Sequence, residues 1–241
     1  SQAGQLSGMG LLGLNVSGNS NSKTQEAVER IKSFQFFSEY FLPNIQLENM
    51  MALESWNPNE NTLIYDKSLF NVKTKKWTRD VSFPTKIKPS DQEVFEEVYK
   101  KILRVSVNKS QGFITLSIDH KSPFIAKKWL NIIILNINES MRELDKEDAQ
   151  NSINFLNESI KSTTVKSLRD VISTLLENQM QTLMLTYSQK DYIFKAIESP
   201  IAPEKKSGPT RYLICILYTF IGGMLSLIAV LVNHYRKSLN S

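Results

Sequence analysis

The chain has 241 residues, of which 41% are hydrophobic and 22% are charged, a composition typical of a folded protein and not of a disordered one. Its length allows one large domain or two small ones. The net charge is +5, but basic and acidic residues are interleaved, so we expect no nucleic-acid partner. The single cysteine, Cys215, leaves the redox compartment open.

The first stretch is rich in glycine and has neither an initiator methionine nor the apolar core of a signal peptide. We therefore expect a fragment whose upstream part includes a first membrane helix. Residues 11–16 are expected to form a short edge strand. Ser22 and Gln25 have the spacing of a capping box and predict a helix through Ile31, followed by a second short helix over residues 34–41.

The next third of the chain alternates between turns and short regular elements. Residues 56–89 contain turn signals and are predicted to be loops and strands, with the best strand at residues 63–65. Ser90 and Glu93 form another capping box that opens a helix. Two alternating runs then flank Gly112, which predicts a β-hairpin over residues 104–107 and 113–118.

Two long helices are predicted after this β-hairpin. Ser122 followed by Pro123 is typical of a helix start. The apolar periodicity then continues past Leu156, which gives a rod of about 50 Å at 1.5 Å per residue. A second helix covers residue 165 to about 187, so a helical hairpin is expected over about 123–187. Residues 192–197 are predicted to return as a strand.

An uncharged apolar run of 21 residues, 212–232, predicts a transmembrane helix, because that length spans the hydrocarbon core of a bilayer. A proline-rich linker, residues 200–211, precedes it and contains Pro200, Pro203 and Pro209. A short cytoplasmic tail, residues 233–241, follows it. Gly222 and Gly223 lie inside the span, where small residues favour contact with another helix.

The sequence predicts no catalytic, cofactor-binding or metal-binding residue. His120 beside Asp119 could suggest a general base, but a solvated turn histidine is the favoured interpretation. Phosphate-cradling glycine motifs are absent, and no cysteine and histidine residues have metal-ligand spacing. The fold class expected from the pattern is α+β. It comprises a membrane-proximal mixed α/β base with a long protruding helical hairpin, plus a C-terminal transmembrane helix.

Three stretches together resemble the Wzz-type chain-length determinants, the polysaccharide co-polymerases of Gram-negative bacteria. Residues 51–77 are similar to the family's W-x-P…D…K-W segment, and residues 117–145 to its junction between β-hairpin and long helix. Residues 199–225 resemble its proline-rich segment that leads into a membrane helix with Gly-Gly-Met. The early LLGLN at residues 11–15 also fits this pattern.

The resemblance implies a non-enzymatic scaffold in the inner membrane with residues 1–199 in the periplasm. It also implies a closed homo-oligomeric ring that sets the modal chain length of O-antigen lipopolysaccharide, or of a related surface polysaccharide. The expected partners are the O-antigen polymerase and the growing polysaccharide. Two alternatives remain: a membrane-anchored ligand-sensing domain, and the extracytoplasmic half of a capsule or exopolysaccharide export system with a separate kinase.

Overall fold

The computed structural model describes residues 19–108, 110, 112–189, 191–203 and 215–228. The strand expected at residues 11–16 lies outside this part. The chain divides into two compact units, Ser1–Ala202 and Pro203–Ser241.

The first half of unit 1 consists of short elements. Its helical elements include two π-helical turns and one 3-10 turn that continue adjacent helices. In chain order they are α1 (Asn19–Ile31), α2 (Phe34–Phe36) with the π turn Phe37–Phe41 and the 3-10 turn Leu42–Asn44, α3 (Leu47–Met51), α4 (Asp91–Val94) with the π turn Phe95–Tyr99, and α5 (Lys100–Ile102). The strands between them are β1 (Leu53–Asn57), β2 (Thr62–Tyr65), β3 (Phe70–Asn71) and β4 (Lys76–Trp77).

The strands form three separate antiparallel pairs and not one sheet. β1 pairs with β2, β3 pairs with β4, and β5 (Leu103–Asn108) pairs with β6 (Phe113–Ile118). The last pair confirms the predicted β-hairpin. Its turn closes when Gly112 N–H donates to the Asn108 carbonyl at 2.8 Å, and Gly112 adopts φ of 71°, which favours glycine.

Two long helices complete unit 1: α6 (Pro123–Ser162) and α7 (Lys166–Ser188). They pack against each other and are joined by three residues, in agreement with the expected helical hairpin. Ser122 caps α6 by accepting a hydrogen bond from Ile125 N–H, and Pro123 occupies the first turn. At 1.5 Å per residue, the 40 residues of α6 extend over about 60 Å, longer than the rod predicted from the sequence.

The core lies where the first half of α6 meets the short helices. Four α6 side chains four residues apart are buried there: Trp129, Ile133, Ile137 and Met141. Aromatic rings from the π turns pack beside them, with the Phe37 and Tyr99 ring centroids 4.8 Å apart. The Tyr99 hydroxyl donates to the Ile31 carbonyl at 2.8 Å, which ties α1 to this core.

Two smaller expectations are wrong. Ser22 does not begin a helix, because α1 already includes Asn19. Residues 192–197 are irregular and not a strand. Ser90, by contrast, caps α4 as predicted, by accepting a hydrogen bond from Glu93 N–H at 3.3 Å.

The predicted C-terminal transmembrane helix is wrong, and the expected fold class fails in this element. The described part of helix α8 covers residues 215–228. Among the described residues, no helix combines the length and the apolar character needed to cross a bilayer. The inner-membrane assignment that depended on this span loses that support. The ends of the predicted span, 212–214 and 229–232, lie outside the described residues.

Candidate functional site: the helical hairpin, its anchor and its exposed flank

Asn138 anchors the chain that returns from the helical hairpin. Its side chain is buried in α6 with 4% exposure. Its Oδ1 accepts hydrogen bonds from Ile193 N–H and Phe194 N–H, both at 2.8 Å, and its Nδ2 donates to the Phe194 carbonyl at 2.9 Å. The Asn138 amide therefore supplies the hydrogen bonds that a neighbouring strand would otherwise supply. This explains how both N–H groups of residues 193–194 and the Phe194 carbonyl are paired without the predicted strand.

Asp145 joins three segments a little further along α6. It accepts hydrogen bonds at 2.6 Å from Lys23 Nζ of α1 and at 2.6 Å from the Tyr192 hydroxyl. Burial, reinforced by the Asp145 carboxylate, raises the pKa of Tyr192 above its ordinary value. Arg142 donates to the Gln189 carbonyl at 3.2 Å. The chain that follows α7, at residues 189 and 192–194, is called the return segment. It is thus fixed to α6 at three positions, Asn138, Arg142 and Asp145.

In the far half of the helical hairpin, both helices contribute buried side chains. Ala149 and Ile153 of α6 are buried there, as are Ile172 and Thr186 of α7. α7 packs mainly against α6, so the short elements of the core give it little support.

α7 also carries an apolar flank that is largely exposed in the described chain. Met180, Met184 and Tyr187 recur at i, i+4 and i+7, which places them on one side of the helix beside the seam with α6. They are 48%, 71% and 70% exposed. Lys146 Nζ of α6 lies 4.9 Å from the centroid of the Tyr187 ring and adds a cation–π contact. These three residues are called the α7 flank below.

Two clefts open on the helical hairpin, and both are wide open to solvent. One, of about 400 Å³, is lined by Arg142 and by residues 186–189 at the end of α7. The other, of about 270 Å³, is lined by polar and charged side chains of α6 alone. Neither is enclosed, as a small-molecule site usually is.

His120 does not form a dyad with Asp119. Ser122 N–H donates to His120 Nδ1 at 3.0 Å, which makes Nδ1 an acceptor and assigns the proton to Nε2. Nε2 then donates to the Asn49 carbonyl at 3.0 Å, and the ring packs against Trp129 at 4.7 Å. Asp119 pairs instead with Arg104. His120 therefore joins α3 to the start of α6 and is not the solvated turn residue that the sequence indicated.

No group of three or more histidine, cysteine, aspartate and glutamate side chains in the described ranges is arranged to hold a metal ion. Pro200 and Pro203 lie in irregular chain, and Pro209 lies outside the described residues. Gly222 and Gly223 fall inside α8, where an added Cβ would meet no atom within 4 Å. A contact of these glycines with another helix therefore stays a prediction.

Positive charge is concentrated in one segment that was not predicted. Residues 67–88 contain seven lysine and arginine residues and a single acidic residue, Asp80, so their net charge of +6 exceeds the +5 of the whole chain. The remaining residues carry a net charge of −1. A local charge count would have found this concentration, whereas the composition of the whole chain conceals it. Residues 67–88 are called the basic segment below.

No protein-family model and no curated protein matches the chain.

Proposed function

We propose that the protein is a non-enzymatic scaffold that regulates the modal chain length of O-antigen lipopolysaccharide or a related surface polysaccharide. It would act on the periplasmic side as a homo-oligomeric ring, with the polymerase as its partner. The resemblance of residues 51–77, 117–145 and 199–225 to the Wzz-type determinants supplies the polysaccharide part of this proposal.

The observation that carries the proposal is the α7 flank on a firmly anchored helical hairpin. Exposed apolar side chains that lie together on one side of a helix support an interaction surface there. The hydrogen bonds of Asn138 and Asp145 fix the return segment to α6. A fixed hairpin can present its flank to neighbouring copies at a constant angle, which is the requirement for closing a ring.

The growing polysaccharide is the second proposed partner. An anchored rod of about 60 Å offers a long polar surface along α6, set by its 40 residues. Such a surface can contact several sugar units in succession, so the number of copies in the ring and the length of the rod together would set a preferred glycan length.

Deletion of the gene tests the proposal directly. We expect the modal band of surface polysaccharide on a gel to be replaced by a broad distribution of lengths in the deletion strain. Complementation with the unaltered gene should restore the modal band. An unchanged length distribution after deletion rules out the proposed function.

A matched pair of variants connects this phenotype to the α7 flank. Met180→Glu with Met184→Glu introduces charge on the flank, whereas Thr174→Glu with Gln181→Glu introduces the same charge at exposed polar positions. By helical spacing, the latter two residues face away from the seam with α6. We expect the first pair to lose the modal band and the second to keep it. Equal behaviour of the two pairs would contradict a role for the flank.

A further inference from the structure

A loop within the basic segment carries its apolar side chains in solvent. Phe83 is 96% exposed and Ile87 is 58% exposed. The two lysines of the loop, Lys86 and Lys88, flank Ile87 and are exposed as well. Burial drives folding, so these two apolar side chains contribute little to the stability of the chain.

Both ends of this loop are fixed to the fold. On one side, the Thr78 hydroxyl donates to the Lys67 and Ser68 carbonyls, both at 3.2 Å, and Arg79 pairs with Glu93 of α4. On the other side Pro89 is buried and Ser90 caps α4. The exposed tip at residues 82–88 is therefore carried between two anchored ends.

The charge around the tip is not neutralised by the part of the chain that the structure describes. Six exposed lysines of the basic segment form no ion pair with any described residue: Lys67, Lys73, Lys75, Lys76, Lys86 and Lys88. The turn between β3 and β4 repeats the pattern of the loop, since Val72 is 53% exposed next to Lys73. Uncompensated lysines that are concentrated in one short stretch of chain produce a local positive potential.

We propose that the basic segment docks on the surface of an anionic lipid bilayer. The lysines contact the headgroups, while Phe83 and Ile87 enter the boundary between headgroups and acyl chains. The exposed apolar side chains favour a lipid bilayer over a soluble polyanion as the partner. Ile87 and Val72 can neither stack on a base nor bind a sulfate or phosphate, and they gain free energy only by leaving water for an apolar phase. This peripheral contact is distinct from a membrane span and goes beyond the proposed function.

A fluorophore placed in the loop tests the proposal, because it reports the polarity of the loop's own surroundings. The full chain carries Cys215→Ser and Ser82→Cys, and the thiol introduced at position 82 is labelled with an environment-sensitive dye. The labelled chain is titrated with vesicles of phosphatidylcholine and with vesicles of equal parts phosphatidylcholine and phosphatidylglycerol. We expect a blue shift and brighter emission with the anionic vesicles alone. Lys86→Gln with Lys88→Gln should weaken the apparent affinity roughly 30-fold, and Phe83→Ser should reduce the blue shift.

A second labelled position and a soluble polymer serve as controls. The dye attached through Thr174→Cys, on the polar side of α7, should not respond to either vesicle. Dextran sulfate without lipid should cause no blue shift at position 82. The proposal is overturned by equal responses to neutral and anionic vesicles, by equal responses at the two labelled positions, or by a dextran sulfate shift that matches the one with vesicles. None of these measurements reads polysaccharide length, so a negative result here leaves the proposed function standing.

Discussion

Asn138 shows how one buried side chain can determine the course of a whole segment. Its amide satisfies two backbone N–H groups and one carbonyl of residues 193–194. Leucine has the same branched arrangement of heavy atoms but offers neither an acceptor nor a donor. The return segment would then have to leave its buried backbone groups unpaired or detach from α6.

The variant Asn138→Leu should therefore lower the free energy of unfolding by about 2–4 kcal/mol, measured by urea denaturation. Proteolysis within residues 189–194 should become faster as well. Asn151→Leu is the control, because Asn151 is exposed on the same helix and should change stability by about 0.5 kcal/mol or less. Equal effects of the two substitutions would show that the amide of Asn138 does not anchor the return segment.

Tyr99 provides a pH-dependent test of the core. Burial raises the pKa of its hydroxyl well above the ordinary value of 10.0. The folded chain therefore keeps this proton above pH 10, where the unfolded chain releases it. Folding stability from Tyr99 is complete below about pH 10 and declines as the pH rises further, by up to about 1.4 kcal/mol per pH unit.

Tyr99→Phe removes both this proton and the hydrogen bond to the Ile31 carbonyl. We expect a loss of about 1 kcal/mol near pH 7. The difference in free energy of unfolding between the two proteins should vanish at about pH 11, because only the original chain loses stability through this group. Urea denaturation at a series of pH values measures both curves. Parallel curves would mean that Tyr99 ionises equally in the folded and unfolded states.

At the scale of elements, local signals in the sequence predicted the regular structure well. Ser90 and the Ser122–Pro123 pair start their helices as expected, because capping depends on atoms within three residues. The strand expected at 192–197 failed because its backbone partner is a side chain 55 residues away, which no local pattern reveals. The same limit applies to the site. Helical periodicity predicted the second helix, but only the structure shows that Met180 and Met184 are left exposed on it.

The far half of the helical hairpin should open separately from the core, since α7 depends on α6 for its packing. Ile172 is 7% exposed, and Ile172→Ala should destabilise α7 by about 2–4 kcal/mol through the lost apolar contacts and the cavity left behind. Hydrogen exchange followed by mass spectrometry should show faster exchange over Lys166–Ser188, with no change over β5 and β6. Val171→Ala is the control, because Val171 is 42% exposed. Faster exchange throughout unit 1 would contradict this division.

At the scale of the whole molecule, the described surfaces differ sharply in character. The α7 flank is apolar and carries little charge, whereas the basic segment holds the entire positive excess of the chain. Apolar surface supplies most of the free energy of protein association, and concentrated charge supplies attraction to an anionic surface. The two features therefore suit different partners. A substitution in the α7 flank should leave membrane docking intact, and a substitution in the basic segment should leave self-association intact.

Self-association through the α7 flank should depend on the flank remaining uncharged. Met180→Glu with Met184→Glu should shift native mass measurements from a large oligomer toward the monomer, because each contact would then bury two charges. Thr174→Glu with Gln181→Glu adds the same charge away from the flank and should preserve the oligomer. The helix content of both variants should match that of the original chain, since all four positions are exposed on α7. A large oligomer that survives the first pair would exclude the flank as the surface that joins neighbouring copies, and a chain that is monomeric without any substitution would exclude the ring.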